Sequence, residues 1–93
     1  MQVVLMQMRL ALMSRTLKEK RAIVKSVLGR ARNRFNVSCC ESGLHDQPWD
    51  AEIAFVMVTD TFTRGKSVMQ QLESWLVEER PDVEITDVQV DEL

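Results

Sequence analysis

Between positions 2 and 13 the chain reads QVVLMQMRLALM, and Val4, Met6, Met8, Leu10 and Leu12 alternate with Val3, Leu5, Gln7, Arg9 and Ala11. A period of two places the first set on one face of a strand, and that face is wholly apolar. The triplet SRT breaks the alternation, after which the period changes. Leu17, Val24, Leu28, Ala31 and Phe35 follow at steps of seven, four, three and four, which is one face of a helix, widened by Ile23 and Val27. Thr16 and Glu19 have the T-x-x-E spacing of a capping box, so the helix is predicted to begin at Thr16. Asn36 is placed to end it in the left-handed conformation, and Arg30, Arg32 and Arg34 suit the negative end of its dipole.

Residues 36–42, NVSCCES, read as a second strand, and 43–50, GLHDQPWD, as a loop with Gly, Pro and Asp turn chemistry. Residues 51–59, AEIAFVMVT, are the most apolar run and are expected to be a central strand. Asp60 or Thr61 can cap a second helix whose inner face carries Val68, Met69, Leu72, Trp75 and Leu76, and Pro81 stops it. Residues 82–90, DVEITDVQV, form the last strand, where the apolar phase slips between Ile85 and Val88 as at a bulge. The order β-α-β-β-α-β, with crossovers of the usual hand, predicts an α+β ferredoxin-like βαββαβ sandwich. Its four-stranded antiparallel sheet carries both helices on one face. Residues 1–93 form one such domain.

Composition adds little to this picture, but charge adds much. The net charge of −2 hides an asymmetry: residues 1–45 hold nine Lys and Arg against Glu19 and Glu41, while residues 46–93 hold three against twelve Asp and Glu. Eight of the twelve cations fall within residues 15–36. Such a split implies either a basic binding face or two halves that attract each other. No apolar run approaches the roughly 18 residues that cross a bilayer, and no signal peptide is read in residues 1–13. No membrane partner and a cytoplasmic location are therefore expected.

Candidate chemistry is sparse. Cys39 and Cys40 are adjacent on a strand and point to opposite faces, so they neither share a metal nor easily bridge each other. His45, Asp46 and Asp50 are the sole potential metal or acid–base cluster, but one imidazole without a spaced thiol is too little for a zinc site. Trp49, beside Pro48, is expected to plug the rim of the core; an exposed Trp there marks a contact site instead. No nucleophile–base pair, phosphate loop or dinucleotide fingerprint is visible. The reading is of a protein that is not an enzyme, with no metal, no cofactor and no small-molecule substrate.

On a helical wheel Lys18, Arg21, Lys25 and Arg32 fill a band about 60° wide on one flank of the first helix. Arg30 and Arg34 lie on the other flank, and Ala22, Ser26, Gly29 and Asn33 form a shallow trough between them. A phosphate backbone fits such a trough, and Lys20 is expected to contribute near the helix start. The alternatives are a solvated face whose cations attract the acidic half, or a protein partner packing on the small residues of the trough. Base stacking on the open sheet is disfavoured, since the first strand has no aromatic and the third has Phe55 alone. Val3, Leu5, Ala11, Ala54, Val56 and Val58 instead leave that face apolar, which invites self-association, such as a homodimer.

The segments TLKEKRAIVKSV, RNRFNVS and HDQPWDAEIAFVMV together resemble the YlxP-like family of small bacterial proteins of unknown function. Leu17 to Arg21 and Arg32 to Val37 match its S-L-K-E-K-R and R-N-R-F-N-V-S segments in order, with Thr16 where Ser is usual. The resemblance covers nearly the whole chain and implies a ferredoxin-like fold without known enzymatic activity. Genes of the family often neighbour those for translation initiation and ribosome maturation factors. The expectation that follows is docking on structured, ribosomal or pre-ribosomal RNA through Lys18, Lys20, Arg21, Lys25, Arg30, Arg32 and Arg34.

Overall fold

The strand with the strictest alternation lies at the centre. In the computed structural model, which describes residues 1–93, β1 (Gln2–Leu12) runs between β3 (Asp50–Thr59) and β4 (Val83–Glu92), and β2 (Ser38–Gly43) forms the edge beside β3. The order is β2-β3-β1-β4, and every neighbouring pair is antiparallel. Helix α1 (Leu17–Arg34) carries the chain from β1 across β3 to β2, and α2 (Phe62–Glu79) carries it from β3 across β1 to β4. These two interleaved βαβ units are the predicted ferredoxin-like sandwich, with β3 central as expected.

One core holds the layers together. Val4, Met6, Met8 and Leu10 of β1 and Ala51, Ile53 and Phe55 of β3 bury against Val24, Val27, Leu28 and Ala31 of α1 and Met69, Leu72 and Leu76 of α2. Leu5 pairs with Val56 and Met6 with Phe55, so a slip of one residue would turn this whole set outward. Gly65 lets α2 sit close, because a Cβ there would come within 2.6 Å of Val4 Cγ2 and 2.8 Å of Thr59 Cγ2. The phase slip in the last strand is a bulge: Arg9 pairs with Asp87 and Leu10 with Ile85, leaving Thr86 unpaired. The Thr86 hydroxyl donates to the Arg9 carbonyl at 3.2 Å, while Ile85 and Val88 both return to the core side.

Thr16 caps α1, its Oγ1 accepting from Glu19 N at 3.1 Å, and Thr61 caps α2 by accepting from Arg64 N at 3.2 Å. The reciprocal arm of the first cap lands one residue early, since the Glu19 carboxylate accepts from Arg15 N at 3.3 Å. Asn36 does not end α1 in the left-handed region. Phe35 turns extended instead (φ −123°, ψ 148°) while its N–H still donates to the Ala31 carbonyl. That turn sets the Phe35 ring edge-on to Trp75, with centroids 5.7 Å apart, and leads straight into β2.

Candidate functional site

The first helix sorts its cations into three groups. Lys18, Arg21, Lys25 and Arg32 are solvent-exposed on one flank, and none of them has a carboxylate within ion-pair distance. Arg21, Lys25 and Arg32 line a shallow groove of about 300 Å³ beside the edge strand β2, with Val24 and Leu28 as its floor. Its one acid is Glu41, which is already engaged with Lys20. Arg32 also donates through Nη2 to the Cys39 carbonyl at 2.7 Å, so the end of this flank is fixed to β2.

Arg30 and Arg34 form the second group and face α2. Arg30 pairs with Glu79 across the two helices, and the Arg34 guanidinium lies over the Phe35 ring at 6.0 Å from its centroid. Gly29 leaves the trough between the flanks open, since a Cβ there would meet nothing within 4 Å.

Lys20 is the third group, and it corrects the expectation that it belongs to a binding surface. It is 1% exposed, and its Nζ donates to the Leu44 carbonyl and lies 3.0 Å from Glu41 Oε2. Glu41 Oε2 is itself buried and accepts no other hydrogen bond, so the Lys20 ammonium is its sole polar neighbour. The signal was present in the sequence, because positions 20, 24, 27, 28 and 31 form one helical stripe. Sequence reading treats Lys20 as a surface cation because lysine is rarely buried unless paired.

The free edge of β2 is protected from strand pairing. The carbonyls of the alternate residues Cys39 and Glu41 accept from Arg32 and from the His45 ring, the latter at 3.2 Å. His45 thus serves the loop, and Asp50 pairs with Arg9 at 3.4 Å. No group of three or more His, Cys, Asp and Glu side chains converges. Cys39 is buried and Cys40 exposed, as alternation requires. Burial pushes the Cys39 thiol up from its ordinary pKa, against the opposing charge of Arg32.

Two further expectations resolve clearly. Phe55 is fully buried against the helices, so the central strands present no aromatic on the open face of the sheet. Trp49 does not plug the core rim; it is 56% exposed. The loop from β2 to β3 is held by its backbone, which leaves the indole outside.

Together these features define an α+β sandwich with an unpaired basic flank on α1. Residues 3–90 match the family of proteins of unknown function designated DUF503, and the chain belongs to that family. It is 31% identical over 71 residues to the uncharacterized protein YlxP of Bacillus subtilis, covering 76% of each chain. A de novo designed protein with a ferredoxin fold, solved by solution NMR, superposes with a TM-score of 0.59 at 17% identity, covering all of this chain and 84% of that one. That likeness concerns fold alone. No helix is long and apolar enough to cross a membrane.

Proposed function

We propose that this is a non-enzymatic, cytoplasmic binding protein that docks on structured RNA through phosphate contacts from α1. One observation carries the reading: Lys18, Arg21, Lys25 and Arg32 share a flank and lack any carboxylate partner. If the helix were basic only to attract the acidic half of the chain, its cations would be paired across the halves. Of the cations on α1, Arg30 alone makes such a pair. Ribosomal or pre-ribosomal RNA is the proposed partner class, in keeping with the gene neighbourhood implied by the YlxP-like resemblance.

The binding face is narrower than the helix as a whole. Lys20 is excluded by burial, Arg30 is offset by Glu79, and Arg34 remains at the far wall of the trough. Phosphate neutralisation makes log affinity fall by roughly 0.9 per log salt for each contact on a duplex. The test is RNA retention by a Lys18→Glu, Arg21→Glu, Lys25→Glu variant, with Arg32 kept because it also holds Cys39. Loss of retention with an unchanged fold supports the reading. Retention equal to the parent shows a merely solvated face.

A second reading is self-association through the open sheet, favoured by Val58, which is 64% exposed on the same face as Val3, Leu5, Ala54 and Val56. On that face, however, β4 contributes Glu84, Asp87 and Asp91 opposite Ala11, Arg9 and Leu5. A second copy stacked directly would bring like charges together. Sedimentation at micromolar concentration decides, and a strictly monomeric species removes this reading.

A further inference from the structure

An exposed indole on a tightly held loop calls for a partner. The 44–49 loop is fixed at five points: Lys20 Nζ donates to the Leu44 carbonyl, Gln47 N to the Leu44 carbonyl at 3.0 Å, and Ser14 Oγ to the Pro48 carbonyl. Leu12 N donates to the Trp49 carbonyl at 2.8 Å, and His45 reaches back to Glu41. Leu44 even adopts a positive φ of 57°, sparsely populated for a residue with a side chain. Despite this fixation, Trp49 is exposed, and so is Met13 at 82%, one residue from the Ser14 that bonds Pro48. A rigid loop that holds an aromatic in water has already lost the entropy that binding would otherwise remove.

The same bonds hold the backbone of the loop against the segment that leads into α1. Ser14 is two residues before the Thr16 cap, and Lys20 ties Leu44 beneath the first turn of α1. Arg15 and Lys18, just before and within the first turn of α1, are exposed and without ion-pair partners. We infer that Trp49 stacks an unpaired nucleotide of the RNA whose phosphates the α1 flank holds. The inference rests on the RNA-docking reading and refines it: the preferred RNA has a bulged or overhanging base next to a duplex. Every base has a π-face, so the stack favours an unstacked base without reading its identity.

The test uses the full chain carrying Trp75→Phe, which leaves Trp49 as its single tryptophan. It is titrated with a blunt RNA duplex and with the same duplex bearing one bulged nucleotide. The bulged RNA is expected to quench the indole and bind roughly tenfold more tightly, as loss of a base–aromatic stack typically shows. Trp49→Ala should erase that discrimination while blunt-duplex affinity stays the same, and Trp49→Phe should keep most of it. Equal affinity for both RNAs, with blunt binding still dependent on Lys18, Arg21 and Lys25, overturns the stacking and leaves phosphate docking intact. Failure of both RNAs to bind overturns both readings. An indole signal that changes with protein concentration alone assigns the tip to a second copy and overturns the stacking.

Discussion

The Lys20 ammonium lies 3.0 Å from the Glu41 carboxylate, with Lys20 almost wholly shielded from solvent. Helix α1 is thereby tied to the edge strand β2 and, through the Leu44 carbonyl, to the loop that follows it. Removing one partner strands the other's charge. Lys20→Ala should destabilise by about 3 kcal/mol, the low end for a broken buried pair because Glu41 keeps some solvent access. The double change Lys20→Met, Glu41→Gln should recover much of that loss. Denaturant unfolding of the three proteins checks both statements.

Two helical glycines should respond in opposite directions. Gly29→Ala meets open space and should stabilise by about 0.5–1 kcal/mol through helix propensity. Gly65→Ala forces a methyl against Val4 and Thr59 and should destabilise by about 1–3 kcal/mol, as overpacking does. If RNA lies in the trough of α1, the Gly29 variant should also bind it more weakly despite being more stable. Thermal unfolding and RNA titration separate the two effects.

The adjacent thiols should differ sharply in reactivity. Cys40 is exposed, whereas Cys39 is buried with its Sγ 3.6 Å from the Leu28 carbonyl and its pKa raised by desolvation. In the native state at mildly alkaline pH, alkylation should modify Cys40 and leave Cys39 until the chain unfolds. Folding favours the neutral Cys39 thiol. Its contribution is therefore complete below the ordinary value of 9.0 and is lost as pH rises through the higher folded value. Mass mapping of the alkylated peptides checks the order of reaction.

At the turn into β4, the Arg80 guanidinium donates twice to Asp82, at 3.0 and 2.7 Å, and holds that carboxyl below its ordinary value. A lowered folded pKa stabilises the fold above 3.8 and ceases to do so as pH falls through the folded value. Asp82→Asn should therefore be less stable than the parent at neutral pH, and the two should converge in strong acid. Unfolding curves across that range show whether they do.

Periodicity, with the cap and turn residues, determined the six elements, the covered face of the first strand and the bulge between Ile85 and Val88. A period of two or 3.6 is a local property, and burial of the resulting faces leaves few ways to stack them. It also placed Lys18, Arg21, Lys25 and Arg32 on one flank, because wheel position follows from sequence spacing. What the wheel could not decide is which cations find acids. Lys20 meets Glu41 and Arg30 meets Glu79 only because α1 packs between β2 and α2, contacts made over 21 and 49 residues of chain. The position of Trp49 is likewise a tertiary fact. A loop has no period to read, and its indole stays in water because hydrogen bonds from Leu12, Ser14 and Lys20 fix the backbone around it. Asn36 shows the same limit at a helix end: the left-handed cap was locally allowed, but the packing of Phe35 on Trp75 favoured an extended exit.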